Sequence, residues 1–239
     1  MNMNCKYSFQ KIIDVFVLAL NVLDFSFLIS GAGTLGILYV GLKYYIVVEW
    51  IQAPSCFWDT CVFIICTYIC GLFSWGGGKV IRRNFPCLWK CSDGKYDYDC
   101  YIEERIKWIS KAIIPSSMLE NRIIAFPSIS YAAMWTLVSQ KEEIKERYNF
   151  INKYWVMQAI FEGLIGTGIM GVVMVWWIFY NSIEVNYISI NIMINYVALT
   201  VFFVFLIYIS FRESQKYVEQ QIKEVVINYC IHILGQEFK

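Results

Sequence analysis

Four stretches of this chain contain no charged residue, and each is close to the length needed to cross a bilayer. Phe25–Leu42 has 18 residues, Thr60–Gly78 has 19, Gly163–Ile183 has 21 and Val185–Phe211 has 27. A helix rises about 1.5 Å per residue, so roughly 20 residues cover a hydrocarbon core of about 30 Å. One such run suits a buried helix of a soluble protein, but four in 239 residues do not. The chain is 58% hydrophobic and 16% charged, against about 25% charged in soluble domains. A soluble fold of this composition would expose large apolar patches. The expectation is an all-α integral membrane protein with four transmembrane helices. The first run extends past Lys43 to about Val48, with the lysine stem reaching outward.

Basic residues orient the spans, because loops rich in Lys and Arg stay on the cytoplasmic side. Of the 20, two lie in residues 1–24, thirteen in residues 79–158 and four in residues 212–239. The short connections, residues 49–59 and 181–191, carry none. Both termini are therefore expected in the cytoplasm and both hairpin loops outside. Trp50, Trp58, Trp176, Trp177 and Tyr180 fall near the outer ends, where an aromatic belt belongs.

The expected order is an interfacial N-terminal helix (1–24), a transmembrane hairpin (25–78), a cytoplasmic helical segment (79–158), a second hairpin (159–211) and a cytoplasmic C-terminal helix (212–239). Phe9, Ile12, Ile13, Phe16, Val17 and Leu20 have the spacing of a surface-lying helix. A longer, kinked first span fits them equally. Asp14, Asn21 and Asp24 with no small-residue cleavage site after them read as the absence of a cleavable leader. In the cytoplasmic segment Ile102, Ile106, Ile109 and Ile113 recur at helical spacing, and Pro115 ends that helix. A charged helix runs from Lys141 into the third span. After Arg212, Val218, Ile222, Val225 and Tyr229 make a heptad seam, read as a helix leaving the fourth span to pack on the central segment or on its own copies.

The pattern G-x-G-x-x-G occurs twice, at Gly31–Gly36 and Gly166–Gly171. As a dinucleotide fingerprint it requires a βαβ unit with a polar crevice, and here both copies lie inside membrane runs. Close helix packing is the better reading. Ala159, Gly163, Thr167 and Gly171 repeat every four residues and form a smooth ridge, the kind that lets transmembrane backbones approach. Whether the partner helix belongs to the same chain or to another copy stays open at this point. Gly31–Val40 (GAGTLGILYV) and Gly166–Val175 (GTGIMGVVMV) also align as a parallel repeat.

Catalytic patterns are missing: the single histidine is His232, and the spans carry neither paired carboxylates nor a His-rich motif. The chain is read as a non-enzyme without a cofactor. Lys43 and Glu162 are the charges nearest membrane depth, each placed either along an aqueous path or at an interface. With Gly163, Thr167 and Gly171 they are the candidate pore or interface residues. Lys79, Arg82, Arg83, Arg105, Lys107, Lys111 and Arg122 form the densest basic set, interleaved with Phe85, Trp89, Tyr101 and Trp108. They either orient the second span or form an anion site for a nucleotide or oligonucleotide, since basic charge with aromatic stacking is how single strands are held. Cys87, Cys91 and Cys100, spaced C-x3-C-x8-C with no histidine nearby, are read as reduced thiols rather than a zinc site. Cys56 and Cys61 fall on the outer side, where they have the option of pairing.

The layout of these pieces, with "DFSFLISGAG" leading into the first span, "TYICGLFSWGGGKVIRR" ending the second, a central "ENRIIAFPSISYAA" and a last span running into a charged tail, resembles the small multi-helix membrane effectors of bacterial anti-phage systems. Examples are the accessory membrane proteins of type VI CRISPR loci and the channel component of Hailong systems. The bestrophin channels share the order of two spans, helical insert and two spans. The resemblance implies a homo-oligomeric pore in the bacterial inner membrane that collapses the membrane potential, with a defence-system protein as a further partner. The leading expectation is an oligomeric channel gated from the cytoplasm. Its competitors are a non-conducting membrane-anchored adaptor and a small transporter.

Overall fold

The computed structural model describes residues 22–45, 57–84, 91, 97–113, 131–140, 145–185 and 190–230. Among them the chain is all-helical. Six helices follow one another: α1 (Val22–Tyr45), α2 (Phe57–Asn84), α3 (Tyr98–Ile113), α4 (Tyr131–Ser139), α5 (Lys145–Val185) and α6 (Ile190–Tyr229). The charged helix after residue 141 and the third apolar run are one element, α5. The fourth run and the heptad seam are likewise one element, α6.

Three of these helices are long and apolar enough to cross a membrane: Asp59–Asn84, Phe150–Ser182 and Met193–Tyr229. The expected first span falls short of that measure. In α1 the apolar part Ser26–Leu42 is 17 residues, a rise of about 26 Å against roughly 30 Å of hydrocarbon. The helix as a whole runs 24 residues, Val22–Tyr45, and the side chains on either side of Ser26–Leu42 and the continuation to Val48 lie outside the described residues.

The chain divides into two compact units. One comprises Met1–Val80 and Ala159–Ser214, and the other Ile81–Gln158 and Gln215–Lys239.

In the first unit the helices meet through glycines. A Cβ on Gly31 would run into the carbonyl of Thr67, and one on Gly71 into the carbonyl of Phe27. The α1–α2 contact is thus glycine on backbone in both directions. The α2–α5 contact has the same form, with Gly78 against the Glu162 carbonyl and Gly166 against the Ser74 carbonyl. Gly163 faces the Ser30 side chain of α1, 2.5 Å from where its Cβ would stand. Gly168 and Gly171 face Ile207 and Phe203 of α6. Phe27 packs edge-on to Tyr68 and Trp75, at 5.8 and 5.4 Å between centroids. Small residues at these positions let the helix backbones approach closely.

The second unit has an apolar core. Ile102, Ile106 and Ile109 of α3, Met134 and Val138 of α4, Ile151 of α5, and Val218, Ile222, Val225 and Tyr229 of α6 are buried together. The heptad seam therefore packs on the central segment of its own chain. Asp97 caps α3: its carboxylate accepts from the Asp99 N–H at 3.1 Å and its carbonyl from the Tyr101 N–H at 3.0 Å.

Candidate functional site

Polar side chains are buried inside the first unit. Thr34 Oγ1 of α1 lies 2.6 Å from Ser74 Oγ of α2 and 2.8 Å from Thr167 Oγ1 of α5. Thr167 also lies 3.0 Å from the carbonyls of Ser30 and Gly163. Three helices are joined by one chain of hydroxyls, each group at most 4% exposed. Hydroxyls suit this place because a helical Ser or Thr satisfies itself on its own backbone and still reaches across. Glu162 is 1% exposed, on the turn of α5 that packs against Gly78.

The ridge residues Ala159, Gly163, Thr167 and Gly171 are all buried within the chain. Gly163 and Thr167 face α1, and Gly171 faces Phe203 of α6, so the helices they meet are those of the same subunit. Of the two glycine-rich motifs, only Gly36 has open space where a Cβ would stand. Lys43 is on α1, and its side chain lies outside the described part.

Six of the seven basic residues lie among the described residues. Lys79 belongs to the first unit, its ammonium 4.7 Å from the Trp75 ring centroid. In the second unit Arg82 and Arg83 share the ring of Tyr98, at 5.1 and 5.2 Å. Arg82 is 1% exposed, while Arg83 is exposed and lies 3.5 Å from Asp99. Arg105 is engaged elsewhere, donating from Nε to the Tyr101 hydroxyl at 3.1 Å and lying 3.5 Å from Glu219 of α6. The Tyr101 hydroxyl in turn donates to Glu219. Burial and the bond to Glu219 push the Tyr101 phenol above its ordinary range. The bond to Tyr101 raises Arg105 further. Lys107 and Lys111 stand on the exposed side of α3 beside Trp108, which is 66% exposed. Arg122 lies outside the described residues, as do Cys56, Cys87 and His232.

Cys91 and Cys100 do approach each other, and Glu104 joins them. Their ligand atoms lie within 4.8 Å of one another. From the sequence the two cysteines read as reduced thiols, and Glu104 read as one of several charges filling the outer faces of a helix.

Comparison of the chain with protein families, with characterised proteins and with solved structures gives no match.

Proposed function

We propose that the chain crosses the bilayer four times, with α1 as the fourth span, assembles as a homo-oligomer and conducts ions across the membrane. The observation that carries this reading is Glu162. A carboxylate buried in the interior of an apolar bundle is costly, and such groups are kept where they line an ion or proton path. The hydroxyl chain of Ser74, Thr34 and Thr167 adds polar groups to the same interior. Support for α1 as a span comes from its packing: it meets α2 and α5 through Gly31 and Ser30, as a bundle member does. Support for assembly comes from α6. Only 11% of its most apolar window is buried, against 50% for α5, leaving residues such as Val201, Phe202 and Phe205 for lipid or for other copies. The resemblance to anti-phage membrane effectors gives the reading its biological form, a pore that depolarises the bacterial inner membrane on a cytoplasmic signal.

One observation favours the adaptor as a second reading. Lys107, Trp108 and Lys111 form an exposed basic and aromatic face on α3; tryptophan is a residue type enriched at protein interfaces, and basic charge beside an aromatic ring is what nucleotides engage.

Ion flux from liposomes holding the purified full-length chain separates the two. The channel reading expects flux from the wild type and a large fall for Glu162→Gln at equal incorporation. A wild-type flux no greater than that of empty liposomes would leave the adaptor.

A further inference from the structure

We propose that Cys91, Cys100 and Glu104 bind a thiophilic divalent cation, zinc above all. The two sulfurs and a carboxylate oxygen form a triangle with no side over 4.8 Å. In a tetrahedral zinc site with Zn–S of about 2.3 Å and Zn–O of about 2.1 Å, neighbouring ligands stand about 3.5–3.8 Å apart. Rotamer adjustments of about 1 Å close the triangle on a metal.

The fold accounts for the convergence. Cys100 and Glu104 are one turn apart on α3 and so share a face. The Asp97 cap fixes where that helix begins. Cys91 is 2% exposed, in the core of the second unit, and its thiol donates to the Asp97 carbonyl at 3.6 Å. The cap thus positions both the helix that carries two donors and the residue that carries the third.

The donor set selects the cation. Two thiolates favour zinc or a similar soft metal over magnesium or calcium, which take oxygen ligands. A divalent cation offsets most of the negative charge that two thiolates and a carboxylate bring together. Cys91–Cys100 disulfide formation is the competing chemistry. It would give Glu104 no part and needs an oxidant to take up two electrons. Three protein donors leave one position for water. Binding releases the thiol protons and ties residue 91 to the first two turns of α3, so it stabilises the second unit. The inference is independent of whether the chain conducts ions.

The test is metal analysis of the full-length chain, purified in detergent with zinc and then dialysed. About one zinc per chain is expected. Cys66→Ser/Cys70→Ser should retain it and Cys91→Ser/Cys100→Ser should lose it. Cobalt titration of the wild type, which depends on no variant, should give thiolate-to-cobalt charge-transfer absorption saturating at one equivalent. Chelation should lower the thermal midpoint of the wild type and leave that of the double serine variant unchanged. The proposal is overturned if the wild type holds no zinc above the buffer and shows no charge-transfer band. Zinc retained in full by Cys91→Ser/Cys100→Ser overturns it too, as does a Cys91–Cys100 disulfide in freshly isolated protein.

Discussion

Thr34 Oγ1 and Thr167 Oγ1, 133 residues apart in sequence, lie 2.8 Å apart in the interior of the first unit. The pair joins α1 to α5 at two buried side chains. Thr34→Val keeps the shape and removes both of the Thr34 hydroxyl contacts. Interhelical hydrogen bonds in membranes are worth about 0.6 kcal/mol on average and up to about 1.7, so a loss of about 1 kcal/mol is expected. Reversible unfolding in mixed micelles measures it, and unchanged stability would show the contact to be idle.

The glycines divide into two groups with opposite predicted behaviour. Gly71 and Gly166 stand against backbone carbonyls of α1 and α2, which have no room to move aside. Gly166→Ala should therefore lower stability markedly and shift the elution profile in detergent. Gly36 has nothing within 4 Å of its would-be Cβ. Gly36→Ala should be neutral or stabilise by up to about 1 kcal/mol through helix propensity. Equal effects of the two substitutions would contradict the packing described.

Tyr101 ties α3 to α6 through Glu219, with Arg105 on the same hydroxyl. Tyr101→Phe leaves Glu219 with the more distant Arg105 alone. A loss of about 1 kcal/mol is expected for a bond to a half-exposed carboxylate. Glu219→Gln in the same background should then add little, because the two residues act as a pair. Thermal unfolding of the four members of that cycle checks the coupling, and strictly additive losses would dissolve the pair.

Burial pushes the Cys230 thiol up to about 11 from an ordinary 9.0. The folded state holds this proton more tightly than the unfolded chain. The associated stability is complete below about pH 9 and is lost as pH rises toward about 11. Alkylation of Cys230 at pH 8 should be far slower than that of an unfolded thiol and should accelerate only near pH 11. Rapid modification at pH 8 with the fold intact would show the thiol to be unburied.

Charge-free runs made α2, α5 and α6 legible as helices, because absence of charge over a membrane thickness has few other causes. Heptad spacing made the buried face of the α6 tail legible for a similar reason: Val218, Ile222, Val225 and Tyr229 all enter the core. The partners were not legible. Spacing shows that Gly163 and Gly171 lie on a smooth face but carries no information on which helix meets it, and they meet two different ones. Thr34 and Ser74 passed as ordinary members of apolar runs, since a hydroxyl declares its role only once the helix opposite is placed. The basic residues read as one set because they are close in sequence. Their individual neighbours were not legible: Arg82 and Arg83 lie by Tyr98, and Arg105 lies by Glu219, more than a hundred residues away in sequence.

The account rests most directly on four crossings with α1 among them, and sidedness tests that. A membrane-impermeant maleimide is applied to intact cells expressing the full-length chain with all nine native cysteines replaced by serine. Single cysteines are introduced as Gln52→Cys, Lys95→Cys, Asn186→Cys or Gln220→Cys. Four crossings predict labelling at positions 52 and 186, and labelling at 95 and 220 only after the cells are opened. Labelling at position 95 in intact cells, or its absence at position 52, would contradict the arrangement.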